Sequence, residues 1–154
     1  MGSSSENMIL ADELLPLLRE RLAAGQHIRY LPFRGVSMLP LLRQGVDSVE
    51  LVPLPQKLKK YDLPVYQYPS GKVVMHRVVD VREDVYICLG DNTYEYERIR
   101  PEQMIALVSV VKRGEKCIPV SDPGYRLYSR VWVALFPVRK LVMRIKRRLR
   151  RMLK

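Results

Sequence analysis

Apolar residues near the start of the chain recur at the spacing of a helix. Five of them share one stripe, at positions i, i+3, i+4, i+7 and i+11: Ala11, Leu14, Leu15, Leu18 and Leu22. The pattern predicts a short helix over residues 8–25 that ends at Gly25, with Pro16 marking a kink or a later start. We expect this helix to pack on the body of the protein or on a partner.

From Ile28 to about Lys116 the hydrophobic pattern changes to an alternation of apolar and polar residues. Short runs of this kind, separated by Gly, Pro and Asp, predict strands over residues 47–52, 65–68, 73–81, 85–89 and 104–112. A turn is expected at Pro69-Ser70-Gly71. The fold class is therefore expected to be mainly β, built from antiparallel strands in a partly coiled sheet.

The last thirty residues return to helical periodicity. Six apolar residues fall at i, i+3, i+4, i+7, i+11 and i+14: Val138, Leu141, Val142, Ile145, Leu149 and Met152. Four aromatic residues precede or begin this stripe: Tyr125, Tyr128, Trp132 and Phe136. Lysine and arginine occupy most other positions, which is typical of a helix that lies in a membrane interface with its aromatic residues as anchors.

The excess positive charge of the chain is concentrated at its C-terminal end. The 154 residues carry 27 Lys and Arg against 16 Asp and Glu, a net charge of +11. Residues 123–154 hold eleven of the basic residues and no acidic one, so residues 1–122 are balanced, with 27 − 11 = 16 basic residues against 16 acidic ones. An anionic membrane surface, nucleic acid and an acidic protein are all candidate partners. The apolar stripe favours the membrane, because a phosphate-binding arm needs no such stripe.

Composition also excludes several classes of protein. Two cysteines cannot build a disulfide framework, and two histidines do not suggest a metal site. No apolar stretch approaches the roughly 18 residues that cross a bilayer. We therefore expect a cytoplasmic protein, peripheral at most to the inner face of the membrane. Its expected parts are an N-terminal segment (1–27), a β domain (28–122) and a basic helical tail (123–154).

Three segments carry residues suited to nucleophilic catalysis. Ser37 lies between Gly35 and Pro40, where glycine allows the backbone to approach a substrate closely. A serine needs a base, and His76 lies in the predicted strand 73–81, which would hold an imidazole rigidly. Each signal alone has an ordinary explanation, since Ser37 could cap a turn and His76 could be a satisfied strand residue.

A carboxylate could orient the imidazole by accepting its second N–H. Asp91 lies in a Gly-Asp-Asn turn directly after the predicted strand 85–89, and Glu95 and Glu97 follow it. The residues do not decide between these acids. Asp91 could instead brace the segment around Ser37 without taking part in proton transfer.

Taken in order, these segments resemble the type I signal peptidase superfamily of serine endopeptidases. The resemblance rests on Gly-Val-Ser-Met-Leu-Pro (35–40), His-Arg-Val-Val (76–79) and Gly-Asp-Asn (90–92), and it covers about residues 33–114. It is closest to the branch with a histidine base. It implies a signal-peptidase/LexA-like coiled antiparallel β domain.

The resemblance also implies roles for individual residues. Ser37 would be the nucleophile and His76 the general base, with Asp91 or Glu97 as the third member. Three neighbours of the nucleophile would form the oxyanion hole and the substrate cleft: Gly35, Val36 and Met38. The substrate would be a peptide or protein, cleaved at the cytoplasmic side or at the membrane surface, and no metal or cofactor would be needed.

Two departures from the family pattern keep other functions open. Many relatives have a hydroxyl residue where this chain has Gly35, and Val46 is inserted between the glycine and the aspartate that follow the serine segment. The alternatives are a catalytically inactive peptide-binding module of the same fold and a regulator linked to nucleic acid. The latter is disfavoured because the residues before the β domain are too few for a helix-turn-helix domain.

Overall fold

The structure is a computed structural model that describes residues 14–32 and 34–153. Residues 14–23 form helix α1, and Gly25 follows it with a φ of +75°, so the predicted helix end is confirmed. The predicted first turn, residues 8–13, lies outside the described residues. Leu22 of α1 is buried in the main core, which attaches this helix to the body.

Strands make up most of the region between α1 and the C-terminal helices. In chain order they are β1 (Ile28–Pro32), β2 (Ser48–Val52), β3 (Pro64–Gln67), β4 (Val73–Met75), β5 (Arg77–Val81), β6 (Tyr86–Leu89), β7 (Glu97–Ile99), β8 (Met104–Arg113) and β9 (Lys116–Pro119). A 3₁₀ turn, Pro101–Gln103, precedes β8. All pairings are antiparallel, which confirms the mainly β, antiparallel expectation.

These strands form two sheets. The larger has the order β1-β2-β8-β3-β4, with β9 also paired to β8, and the smaller has the order β5-β6-β7. The alternating burial of β2, in which Val49 and Leu51 face the core, is what the sequence pattern predicts for a half-buried strand. Strands β1, β7 and β9 lie outside the predicted set; β7 is short and polar, and β9 is largely exposed.

The predicted single strand over residues 73–81 is wrong. Met75 of β4 pairs with Val65 in the larger sheet, whereas Arg77 of β5 pairs with Leu89 in the smaller one. His76 is the one residue between them, where the chain passes from one sheet to the other. It therefore does not share the face of a continuous strand with Val74 and Val78, as the period of two suggested.

The C-terminal region is helical, but it consists of two helices rather than one tail. Helix α2 (Pro123–Ala134) is capped by the Asp122 carboxylate, which accepts a hydrogen bond from the backbone N–H of Tyr125 at 3.0 Å. Leu135 separates it from helix α3 (Phe136–Met152). None of the described helices is long and apolar enough to cross a membrane.

The aromatic residues of this region face the protein, not an exposed interface. Tyr125 is buried in the main core, and Phe136 packs with Val79, Ile87 and Leu89 in a smaller cluster against the second sheet. Tyr125 and Phe136 are therefore part of the folded interior, and neither is exposed. Burial of aromatic area is the stronger driving force here, since each such ring removes a large apolar surface from water.

Truncation of Phe136 tests whether the start of α3 is part of the folded body. Because Phe136 is buried, Phe136→Ala should lower the free energy of unfolding by about 3–5 kcal/mol in chemical denaturation. Leu141→Ala, on the exposed side of the same helix, is the matched control and should change it by less than about 0.5 kcal/mol. Equal stability of both variants would contradict the packing of α3 on the second sheet.

Candidate functional site

His76 is buried at the crossing between the two sheets, with only 4% of its surface exposed. Its Nδ1 lies 3.0 Å from Glu97 Oε2 and 3.1 Å from the hydroxyl oxygen of Tyr66. Glu97 is the first residue of β7, and Tyr66 belongs to β3, so the two sheets jointly surround the imidazole. The contacts of His76 among the described residues are thus made through Nδ1.

Glu97 accepts hydrogen bonds from three side chains. The hydroxyls of Tyr66 and Tyr68 both donate to it, one to each carboxylate oxygen, and the His76 ring is its third partner. Burial raises the pKa of Glu97, but these hydrogen bonds outweigh burial and lower it to about 2. Glu97 is therefore an anion at neutral pH.

The charge of Glu97 fixes the protonation pattern of its neighbours. Burial and the adjacent carboxylate raise the pKa of both Tyr66 and Tyr68, so both remain neutral donors. An ionised carboxylate accepts only, so Nδ1 of His76 must be the protonated ring nitrogen. The Tyr66 oxygen, whose own proton goes to Glu97, shares that Nδ1 proton. In the neutral imidazole, Nε2 then has the free lone pair that a general base requires.

The segment around Ser37 is a loop held by a short turn from the second sheet. The backbone N–H of Asn92 donates to the Ser37 carbonyl at 2.7 Å, and the Asn92 side-chain amide donates to the Val36 carbonyl at 3.1 Å. Gly35 has a φ of +99°, and its N–H donates to Gln44 Oε1. Glycine is required where the backbone turns in this left-handed way.

The turn that holds Ser37 directly follows β6, the strand that pairs with β5, and β5 begins at the residue after His76. A Cβ on Gly90 would lie 2.8 Å from the Ser37 carbonyl oxygen, so this approach needs glycine. Gly90 follows Leu89, which is paired with Arg77, the residue after His76. Ser37 and His76 are therefore brought to the same end of the second sheet. Within the described part of the chain, the Ser37 hydroxyl has no hydrogen-bond partner, and none joins it to His76.

The two candidate acids occupy different places. Arg77 donates two hydrogen bonds to the Asp91 carboxylate, from Nε to one oxygen at 2.9 Å and from Nη2 to the other at 2.8 Å. Both side chains are buried. Burial lowers the pKa of the guanidinium, but the Asp91 carboxylate outweighs this effect and holds that pKa above its ordinary value. Of the two acids, Glu97 contacts His76, and Asp91 braces the turn that holds Ser37.

The C-terminal helices attach to this same turn. Trp132 Nε1 donates to the Asp91 carbonyl at 2.9 Å, and Tyr128 donates to its carboxylate at 2.9 Å. Arg139 also donates to the Asp91 carbonyl, with its guanidinium 4.3 Å from the centre of the Trp132 ring. No local pattern indicates that these residues of α2 and α3 reach the site, because the contacts link positions about forty residues apart.

The neighbours of Ser37 differ in their surroundings. Val36 is exposed, as a residue beside a substrate would be, but Met38 is buried in the main core with 2% of its surface exposed. The Met38 side chain therefore anchors the loop to the core.

A groove of about 400 Å³ lies beside the Ser37 loop. One wall comes from Leu39 and Pro40 of that loop and from Asn92. The opposite wall comes from α2 and α3, and its residues are Trp132, Val138, Arg139, Val142, Met143 and Lys146. The groove is mostly apolar with two cationic side chains. In the described residues, 14–32 and 34–153, no group of three His, Cys, Asp or Glu side chains could hold a metal ion.

The low pKa of Glu97 predicts a pH dependence of stability. Its pKa is about 2 in the folded protein and about 4.3 when unfolded, so the stability it contributes is present above about pH 4.3 and lost as pH falls towards 2. The stability advantage of the wild type over Glu97→Gln, measured by denaturant unfolding, should shrink by about 3 kcal/mol between pH 5 and pH 2. A constant difference across that range would contradict the hydrogen bonding described for Glu97.

Removal of charge from Asp91 tests the buried ion pair. Asp91→Asn leaves the Arg77 guanidinium buried without a counter-charge, and should lower the free energy of unfolding by about 3–5 kcal/mol. The matched control is Asp80→Asn in the exposed pair with Arg82, which should cost less than about 1 kcal/mol. Denaturant unfolding of both variants measures the difference, and similar small losses in both would show that the Arg77 pair is not buried.

Comparisons of this chain with models of protein families, with curated proteins and with solved structures found no match.

Proposed function

We propose that this chain is a serine endopeptidase of the signal-peptidase type. The observation that carries the proposal is the bonding of His76, whose Nδ1 lies 3.0 Å from the ionised Glu97 and whose Nε2 has no hydrogen-bond partner among the described residues. That is the arrangement of an oriented general base. Ser37, at the same end of the second sheet and free of other hydrogen bonds among the described residues, is the nucleophile.

The topology is consistent with the finer fold assignment. The serine lies in the loop before β2, and the histidine lies at the crossing between two antiparallel sheets. The resemblance of residues 33–114 to signal peptidases is carried by these same segments. We therefore propose a signal-peptidase/LexA-like fold for the β body.

The reaction follows from these roles. Ser37 Oγ attacks the carbonyl carbon of the scissile peptide while His76 Nε2 takes its proton. The resulting oxyanion accepts a hydrogen bond from the backbone N–H of Ser37. The C–N bond then breaks as His76 returns the proton to the leaving amine. Water, deprotonated by His76, hydrolyses the acyl-enzyme and restores Ser37.

Glu97, Tyr66 and Tyr68 act through His76. The carboxylate keeps the imidazole in the Nδ1–H form and stabilises the imidazolium that forms during each step. The two tyrosines hold the carboxylate in place and keep it ionised. They are positioning residues and contact no reacting atom.

A peptide-binding module of the same fold is the second candidate. It is favoured by the absence, within the described residues, of a hydrogen bond between Ser37 and His76. It is also favoured by Gly35, which offers no hydroxyl to an oxyanion hole. The groove beside Leu39 and Pro40 could bind a peptide without cleaving it.

The proposal is tested by comparing new protein N-termini in host cells that carry the wild type or Ser37→Ala. We expect a set of termini that disappears in Ser37→Ala and in His76→Ala. Glu97→Gln should lower the rate of their appearance by a factor on the order of 10⁴, because the amide NH₂ can face Nδ1 and favour the wrong imidazole tautomer. Ser70→Ala, at an exposed turn serine, is the matched control and should leave the termini unchanged.

Identical termini in all these strains, with each variant folded and present at equal level, would contradict a peptidase. In that case, peptide binding that is unchanged by Ser37→Ala would support the binding module.

A further inference from the structure

Helix α3 leaves the body of the protein as a one-sided, strongly basic helix. Its first residues are fixed by the burial of Phe136 and by the hydrogen bonds of Arg139. From residue 144 to residue 153 every side chain is exposed. An amphipathic helix whose apolar side meets only water is not a stable arrangement, so this side needs an occupant.

The exposed apolar residues form one continuous stripe. At 3.6 residues per turn they fall within an arc of about 100°. The stripe consists of Val138, Leu141, Val142, Ile145, Leu149 and Met152, each with 43% or more of its surface exposed. The contacts of Phe136 and Arg139 with the body lie outside this arc. The stripe is therefore open while α3 stays attached to the site.

The charge of α3 identifies the chemistry of the occupant. Basic residues border both edges of the stripe, with Lys146 and Arg150 on one side and Arg144 and Arg148 on the other, and further cations cover the rest of the helix: Lys140, Arg147 and Arg151. Residues 123–154 contain no acidic side chain. An apolar strip bordered on both edges by cations is complementary to an anionic lipid surface, where acyl chains meet the strip and headgroups meet the cations.

We propose that α3 lies in the interface of an anionic bilayer, with the apolar stripe inserted and the cations among the headgroups. The proposed membrane-binding surface includes only α3 and not all of residues 123–154, because α2 and Phe136 pack against the rest of the protein. Val138 and Val142 belong both to the stripe and to the groove beside the Ser37 loop. The groove then opens next to the lipid surface.

For the proposed peptidase, this geometry selects peptide segments that lie at or emerge from a membrane surface. That consequence rests on the proposed function. The lipid binding itself does not, since α3 contains none of the proposed catalytic residues.

The test is co-sedimentation of the full chain with phosphatidylcholine vesicles, with and without phosphatidylglycerol. We expect binding to the anionic vesicles that weakens with added salt, and much weaker binding to the neutral ones. Leu141→Gln, Ile145→Gln and Leu149→Gln together keep the charge and the helix propensity. They should weaken binding by a factor on the order of 100.

Arg144→Gln, Arg148→Gln and Arg150→Gln together, which remove cations beside the stripe, should also weaken binding by a factor on the order of 100, because each cation near the surface contributes about 1 kcal/mol. The matched control is the triple change Leu14→Gln, Leu17→Gln and Val81→Gln, which alters similarly exposed apolar residues outside α3 and should leave binding unchanged. Ser37→Ala should also bind the vesicles as the wild type does. A loss of catalysis can therefore be distinguished from a loss of lipid binding.

Two results would overturn the proposal. One is the absence of binding to anionic vesicles. The other is tighter binding to a DNA duplex that survives the three Gln substitutions in the stripe, since phosphate binding depends on the cations alone.

Discussion

The buried ion pair between Arg77 and Asp91 is the constraint on which the rest of the structure depends. Two charges removed from water are costly unless every donor and acceptor is satisfied. Here the guanidinium donates through Nε and Nη2 to Asp91, and through Nη1 to Ser129 and Tyr125 of α2. Arg77 begins the strand after His76, and Asp91 lies in the turn that holds Ser37. One pair of charges therefore joins the second sheet, the serine loop and the C-terminal helices.

His76 lies at the crossing between the two sheets and not on a regular strand. If His76 were inside a continuous strand, its backbone would be fixed by one sheet only. At the crossing it is held between Met75, paired in the larger sheet, and Arg77, paired in the smaller one. The imidazole can then contact Tyr66 from one sheet and Glu97 from the other. Both sheets determine its orientation, which is the rigidity that proton transfer requires.

Much of the fold could be predicted from local pattern, and less of the site could. The strand in residues 47–52 and the helical C-terminal region follow from periodicity, which local sequence expresses directly. The break at His76 has no local signal, because the alternation of Val74, His76 and Val78 continues across it. Which of the two acids contacts His76 likewise depends on which strands pair, a long-range property. The inward orientation of Phe136 was missed because an amphipathic segment with aromatic residues suits a protein core as well as a membrane interface.

The most direct test of the account is the tautomer of His76 in the folded protein at neutral pH. The chain has two histidines, so ¹⁵N NMR of histidine-labelled protein reports His76 beside the more exposed His27 as an internal reference. For the neutral form of the ring the account predicts the proton on Nδ1, donated to Glu97, and an unprotonated Nε2. In Glu97→Gln this preference should weaken. A neutral ring with its proton on Nε2 in the wild type would contradict the account, because that nitrogen could not accept a proton from Ser37.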